Sequence, residues 1–359
     1  MKVGIVGVTP GRSWATISHI PALQGLPGYD IAGLANSSEA SSRAAGEACG
    51  LKAYPDVQAL LQDEAVDLVA VTVKVPNHRA LVDAALDAGK MVYCEWPLGN
   101  GLADAEAMAA HAAERDLRTV IGLQARFSPV IRYVRDLVRD GYVGEVLSTT
   151  LVGSGMSWGA QVNAPHAYTH DRKNGATLLT IPLGHTIDAV CFCLGEFREV
   201  SATMATRRES YEIVETGATE PMLAEDQVAF NGLLENGAVA SVHYRGGVSR
   251  GTNLLWEING TKGDLQITSY AGHAQMFELT LRGGQGDSAT LEEMVVPESY
   301  RTIPPGIEGF AVNVGELYAR FEKGDDGADP APDFAAAVKR HGLLDAIERS
   351  AQNGQRISL

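Results

Sequence analysis

The chain opens on a short apolar run, Lys2-Val3-Gly4-Ile5-Val6-Gly7, which breaks into the turn Gly7-Val8-Thr9-Pro10-Gly11-Arg12-Ser13 and then into a helical pattern over Trp14–Leu23. A terminal apolar strand that feeds through a glycine turn into a helix constrains the rest of its domain. Parallel neighbours must flank such a strand, and each is reached only by a long crossover. The sequence supplies that alternation. Strand patterns at Val3–Val8, Ile31–Ala35, Val66–Val73, Met91–Cys94 and Thr119–Leu123 alternate with helical patterns at Trp14–Leu23, Glu39–Ala48, Arg79–Ala88 and Ala103–Ala113. Continuous apolar strands joined by helices predict a doubly wound parallel sheet, an α/β domain over residues 1–123.

After Arg126-Phe127-Ser128-Pro129 the pattern changes. Pro129–Asp140 is a basic amphipathic helix. Strand-like segments then dominate, at Glu145–Leu151, Val200–Thr206, Gln227–Leu234, Ala238–Tyr244, Leu254–Asn259, Asp264–Ile267 and Met276–Leu281. Turns such as Glu235-Asn236-Gly237 separate them. A long helix is expected across Leu178–Leu194, with closing helices near Gly309–Glu322 and Asp333–Ala351 and an acidic Gly/Pro loop at Lys323–Pro332. Residues 124–359 therefore read as an α+β domain on a large, mostly antiparallel sheet, for substrate and oligomer contacts. A length of 359 residues with 45% hydrophobic and 20% charged content suits two domains. The net charge of −15 argues against a phosphate-backbone partner, so no nucleic acid is expected. No apolar run approaches the roughly 18 residues of a membrane span. Cys49, Cys94, Cys191 and Cys193 form no CxxC pair and read as free thiols. The first residues already form a strand, with no secretory pattern, so a cytoplasmic location is expected.

The first turn meets the needs of a dinucleotide site. Gly7 and Gly11 let a pyrophosphate approach the backbone where a helix begins, with Arg12 and Ser13 following. Thr9 stands where the usual fingerprint has a second glycine. The second strand ends in Leu34-Ala35-Asn36-Ser37-Ser38, where an NAD-selective fold usually has an acid for the ribose hydroxyls. Asn36 is neutral, Ser37 and Ser38 offer hydroxyls, and Arg43 or Arg12 can neutralise a phosphate. This favours NADP over strict NAD. The alternative is that Ser37 or Ser38 caps the next helix.

With these residues in place, the chain resembles the glucose–fructose oxidoreductase / inositol dehydrogenase / MocA family over nearly its whole length. The resemblance rests on the glycine turn, Pro76-Asn77-His78, Ala88-Gly89-Lys90 leading to Glu95-Trp96-Pro97, Gly184-His185-Thr186-Ile187-Asp188 and Gly260-Thr261-Lys262-Gly263-Asp264-Leu265. Within the family it resembles the subgroup containing the yeast galactose-pathway repressor, through Glu95-Trp96-Pro97-Leu98, Gly122-Leu123-Gln124-Ala125-Arg126 and Leu233-Leu234-Glu235-Asn236-Gly237. The resemblance implies a Rossmann domain. It also implies cofactor contacts at Val73, Pro76, Asn77, His78, Glu95, Trp96, Pro97 and Gln124, beside the first turn. Most members oxidise sugars, polyols or cyclic diols with NAD(P), using a Lys, an Asp and a His around the nicotinamide. Here the Lys position is Trp96 and the Asp position is Thr180, with one residue more than usual between the latter and His185.

His185 is the leading candidate to take a hydroxyl proton, with Asp188 one helical turn on to orient it. The alternative is a satisfied interior histidine. Lys74, at the end of the strand Val69–Val73, can supply an amine in place of the missing one, or is a surface lysine. Tyr168, in a polar aromatic loop, can donate a phenolic proton, or is a packed loop residue. Arg126 falls at the junction of the expected domains and offers a fork of donors to a substrate oxygen or to an acid. Trp96 offers a flat platform for a sugar face or a nicotinamide, or simply fills the core. With Thr180 and His185 these make the candidate substrate contacts. His166 and His170 with Asp171 suggest a metal site by spacing alone, but Pro165 denies them a helix context, and no metal is expected. Three functions are open: an NAD(P)-dependent oxidoreductase acting on a carbohydrate-like or other hydroxy/keto compound, a non-catalytic dinucleotide-binding regulator, and a cofactor-dependent lyase or hydrolase. The partner expected is a small sugar-like or cyclic substrate, and the resemblance adds a homodimer or homotetramer.

Overall fold

The computed structural model describes residues 1–324 and 329–359, so the expected loop Lys323–Pro332 lies partly outside the described residues. The chain divides into two compact units, Met1–Gln124 with Thr302–Lys339, and Ala125–Arg301 with Arg340–Leu359. Sequence patterning places a single boundary, between 123 and 124. The chain instead returns, and residues 302–339 pack with the first unit. The reason lies in the helix Ala311–Lys323, which buries Val314, Leu317, Tyr318 and Phe321. Tyr29 donates its hydroxyl to the Tyr318 carbonyl at 2.7 Å, across a sequence separation of 289 that no local pattern announces.

In the first unit, β1 (Lys2–Val6), β2 (Asp30–Ala35), β3 (Leu68–Val71), β4 (Met91–Cys94) and β5 (Thr119–Ile121) form a parallel sheet in the order β2-β1-β3-β4-β5. Val3, Ile5, the whole of β3 and Val92–Cys94 are buried, as continuous apolar strands between two helical layers must be. A further helix, Val57–Gln62, is too short to stand out in the sequence pattern. Its cap is Asp56, whose carboxylate accepts from the Ala59 N–H at 2.7 Å. The strand order reverses between β1 and β3. Ligands in open α/β sheets bind outside the carboxyl ends of strands at such a switch point. The turn after Val6 and the loop after Val71 occupy those ends.

The second unit is built on a nine-stranded sheet. Its strands include β6 (Val146–Gly155), β8 (Phe197–Ala205), β11 (Gln227–Leu234), β12 (Val239–Gly246), β13 (Leu254–Gly260), β14 (Gly263–Ser269) and β15 (Thr280–Gln285), with β16 (Glu292–Glu293) and β17 (Ile357–Ser358) at the edges. The order is β16-β15-β14-β13-β6-β12-β11-β8-β17, antiparallel except where β6 pairs β12 in parallel. The strand expected at Met276–Leu281 starts only at Thr280, because the Met276 N–H turns back to the His273 carbonyl at 3.2 Å. A small second sheet consists of β7 (Gln161–Val162), β9 (Ser210–Ile213) and β10 (Ala218–Pro221). Its strands of two to four residues are too short for periodicity to show.

The helix expected across Leu178–Leu194 is present in two parts, a π-turn over Leu179–Leu183 and an α-helix over Gly184–Leu194. Pro182 has no N–H to give to Leu178. The Leu183 N–H takes that carbonyl instead at 3.2 Å, five residues back. Ten of the helix's eleven residues are buried, which suits its mostly apolar composition.

Candidate active site

In the first unit the turn after β1 has the shape of a phosphate cradle. Gly7 has φ 100°, and a Cβ there would lie 2.6 Å from Val73 Cγ1, so only glycine fits. Gly11 has φ 68° with open space where its Cβ would point. Thr9 N–H is held by Ser13 Oγ at 3.0 Å, and Ser13 N–H returns to the Thr9 carbonyl at 3.1 Å. The turn is thus closed by its own residues before any ligand arrives. Arg12 and Arg43 are exposed and make no ion pair among the described residues.

Asn36 has a different role from the ribose contact its position suggests. Its Oδ1 accepts from the Val8 N–H at 2.8 Å, and its amide donates to the Val8 carbonyl at 2.9 Å and the Ser41 carbonyl at 3.1 Å. It splints the first turn, a task an Asp cannot do because an ionised carboxylate only accepts. Ser38 caps the helix Glu39–Cys49, accepting from the Ser41 N–H at 3.2 Å. Ser37 is exposed.

Beyond β3, Val73 packs on Gly7, and Pro76 and Asn77 lie exposed in the 3₁₀ turn Val75–Asn77 that follows Lys74. Lys74 is itself exposed. His78 corrects an expectation. It is buried, with Nδ1 2.9 Å from the Pro97 carbonyl, Nε2 3.0 Å from the Val73 carbonyl and Cys94 Sγ 3.4 Å from Nδ1. Burial lowers its pKa, so the ring stays neutral and ties the loops after β3 and β4 together. Trp96 is buried and joined to Pro97 by a cis peptide. Gln124 is also buried, and its Oε1 has no hydrogen-bond partner.

Glu95 is anchored by a residue that no sequence motif marks. His19 Nε2 lies 2.8 Å from Glu95 Oε1, and His19 Nδ1 lies 2.8 Å from the Tyr318 hydroxyl. Gly122 leaves the room, since a Cβ there would come within 2.9 Å of the Glu95 carboxylate. Tyr318 is 299 residues away from His19, so spacing gives no signal of the pair.

In the second unit His185 is buried and its Nδ1 has no hydrogen-bond partner. Burial pushes its pKa down to about 3, against the pull of Asp188 and with that of His273, so the ring is neutral at physiological pH. Asp188, expected to orient it, is committed elsewhere. Arg126 grips the carboxylate through Nε at 2.6 Å and an Nη at 2.7 Å, and Arg340 Nε reaches it at 3.0 Å. Burial alone would raise the Asp188 pKa, but the two guanidiniums hold it below the ordinary carboxylate value. Arg340 also binds Glu196 at 3.0 and 3.1 Å, giving a buried lattice of two cations and two anions. Arg126 is therefore spent on an acid within its own unit. Thr180 donates its hydroxyl to the Gly175 carbonyl at 2.7 Å inside the π-turn segment. Tyr168 is half-buried in the 3₁₀ segment Ala164–His170, and burial raises its pKa. Beside it His170 stacks on Tyr211 at 4.0 Å and bonds the Gly159 carbonyl at 3.2 Å. No group of three or more metal-ligating side chains is assembled among the described residues, and no helix among them is long and apolar enough to cross a membrane.

A Rossmann unit with a glycine cradle, in one chain with a large mixed sheet and a buried helix carrying a neutral histidine, defines a dinucleotide-binding oxidoreductase class. Residues 1–123 match the oxidoreductase family with the NAD-binding Rossmann fold, and residues 129–269 match the Gal80p C-terminal domain family. The chain belongs to the Gfo/Idh/MocA oxidoreductase family. It is 32% identical to Dehydrogenase aclE of Aspergillus oryzae, covering 99% of this chain and 97% of that protein. It is 31% identical to the galactose/lactose metabolism regulatory protein GAL80 of Kluyveromyces lactis, covering 80% of this chain and 69% of that one. Among solved structures, a super-repressor mutant of Gal80p from Saccharomyces cerevisiae has a TM-score of 0.89 at 25% identity, covering 100% of this chain and 97% of that one. Levoglucosan dehydrogenase, in complex with NADH and levoglucosan, shares the fold with a TM-score of 0.85 at 21% identity, covering 100% and 99%.

Proposed function

We propose that this protein is a cytoplasmic NAD(P)-dependent oxidoreductase, NADP being preferred, acting on a carbohydrate-like or other hydroxy/keto compound. The observation that carries this reading is His185: a buried imidazole, neutral at physiological pH, with one ring nitrogen unpartnered, in a chain that matches a dehydrogenase over nearly its full length. The open cradle at Gly11, closed on either side by Gly7 and Ser13, fits a pyrophosphate. Ser37, Arg12 and Arg43 would meet a 2′-phosphate, with Asn36 splinting the turn beneath. When bound, the dinucleotide supplies the hydride chemistry. His185 accepts the substrate's hydroxyl proton. So weak a base does not ionise the hydroxyl beforehand; it takes the proton as the C–H bond breaks, when the hydroxyl becomes far more acidic. Tyr168 or Lys74 assists, and Trp96 walls the sugar face. The expected assembly is a homodimer or homotetramer.

The test is nicotinamide absorbance with NADPH or NADP and a panel of sugars, polyols and ketones. Turnover of at least one member, lost in His185→Leu, is expected. Tight dinucleotide binding with no turnover of any member would refute the enzyme. It would favour a second reading, supported by Trp96 and Thr180 at the family's catalytic positions and by the likeness to Gal80 proteins. In that reading the chain is a dinucleotide-gated regulator and copurifies with a protein partner.

A further inference from the structure

Resting on the oxidoreductase reading, we propose that His273 is a second substrate-contacting residue, and that His185 and His273 together read two adjacent oxygens of the substrate, as in a vicinal diol or α-hydroxyketone. His273 lies in the turn after β14, outside every motif that marks the family. It is buried, and the backbone around it is held on several sides. Gly272 lies so close to the Ser154 backbone of β6 that no side chain fits between them. The Tyr244 hydroxyl donates to the Gly272 carbonyl at 3.1 Å, and the His273 carbonyl accepts from Met276 and Phe277. The ring stands 5.8 Å from the Trp158 ring and 6.0 Å from that of Phe277, with Nδ1 3.4 Å from the Gln275 amide nitrogen. Its Nε2 has no hydrogen-bond partner among the described residues.

The same wall carries His185. A Cβ on Gly155 would touch Trp158, Leu178 and Pro182 together, and Pro182 belongs to the π-turn that leads into His185. Trp158 therefore stands beside both the turn bearing His273 and the segment bearing His185. In keeping with this placement, a charge on His273 would disfavour one on His185, and burial lowers the His273 pKa to about 4. The buried, unpartnered Nδ1 of His185 is an uncompensated cost of folding unless a ligand meets it. A neutral imidazole offers one donor and one acceptor, which suits a hydroxyl or a carbonyl. The guanidiniums that grip this helix are already neutralised by Asp188 and Glu196, so the pair reads uncharged oxygens.

The protein, labelled with ¹⁵N-histidine and saturated with NADPH, is titrated with myo-inositol, D-galactose, D-glucose and trans-1,2-cyclohexanediol, and turnover is scored separately with NADP. The expected result is that at least one compound moves the His185 and His273 signals together. His273→Leu should weaken that compound more than ten-fold, mainly in KM, and His273→Gln should restore part of the loss. Ligands that move only His185, or neither ring, overturn the proposal. Unchanged turnover of the diol in His273→Leu overturns it too while leaving the oxidoreductase standing. Both rings responding with no turnover sinks the oxidoreductase reading and leaves the binding pair intact.

Discussion

The buried histidines make acid stability the sharpest test of the second unit's interior. The pKa of His185 falls from 6.5 to about 3 on folding and that of His273 from 6.5 to about 4, both through burial. The folded state thus holds each ring neutral, while the unfolded chain takes up protons below pH 6.5. The stability tied to these rings is complete above pH 6.5 and is lost as pH falls, levelling off near 3 for His185 and near 4 for His273. Below pH 6.5 each ring's cost approaches about 1.4 kcal/mol per pH unit, so roughly 2 kcal/mol per ring accrues between pH 6.5 and 4.5. Carboxylates begin to titrate toward the lower end of this window, but they do so in wild type and variant alike and cancel in the comparison of the two. His78 and His170, also held neutral by burial, add a drop of the same sign, and His111, whose pKa is raised by Asp83, opposes it. The variant His185→Asn isolates one ring. It leaves a cavity and loses stability at every pH, but its loss between pH 6.5 and 4.5 should be about 2 kcal/mol smaller than that of the wild type. Urea unfolding followed by circular dichroism at four pH values in that window reads the difference directly. Parallel curves for wild type and variant would refute the reasoning, because they would mean that His185 is charged, or reaches water, in the folded protein.

Three further outcomes are expected. Asn36→Asp keeps the Val8 N–H bond but loses the donations to the Val8 and Ser41 carbonyls, and should cost about 1–3 kcal/mol in urea unfolding and weaken NADPH binding measured by fluorescence. Arg340→Met leaves Asp188 and Glu196 under-compensated in the interior and should cost about 3–5 kcal/mol, read as a fall in the denaturation midpoint. Arg12→Ala with Arg43→Ala should weaken NADPH roughly ten-fold, about 1.4 kcal/mol, and leave NADH unchanged in the same fluorescence titration; equal loss of both would remove the 2′-phosphate role.

The Rossmann sheet was legible because a parallel strand buried on both faces must be apolar throughout, and Leu68–Val71 and Met91–Cys94 are. The long strands of the second sheet were legible through alternation and turns, down to the pair Gln227–Leu234 and Val239–Gly246 joined at Asn236-Gly237. The shortest strands of that unit were not, and neither was the return of residues 302–339, since both depend on contacts remote in sequence. At the site, the glycines announced themselves through backbone need. The partners of the polar residues did not. Asn36 read as a ligand group because it follows the second strand, where a dinucleotide fold meets the ribose, whereas its amide also bonds the backbone of Val8, 28 residues back. Asp188 read as the partner of His185 because three residues separate them on one helix, yet Arg340, 152 residues on, competes for the same carboxylate. Spacing along a helix gives adjacency, and charge then decides which neighbour wins.

The extra residue ahead of His185 links these observations. An insertion in a helix either rotates everything beyond it by about 100° or is absorbed as a π-turn. Pro182 favours absorption, because it cannot bond the Leu178 carbonyl and leaves it to Leu183. The helix Gly184–Leu194 therefore keeps its facing: Asp188 and Cys191, one turn apart, both meet Arg340, and His185 keeps its place at the buried start of the helix. The displacement falls upstream, on Thr180, whose hydroxyl is drawn back to Gly175 and Thr177. An acid at position 180 would have to give up that turn and bury a charge beside Leu178 and Leu179. The interior left around His185 is suited to neutral groups.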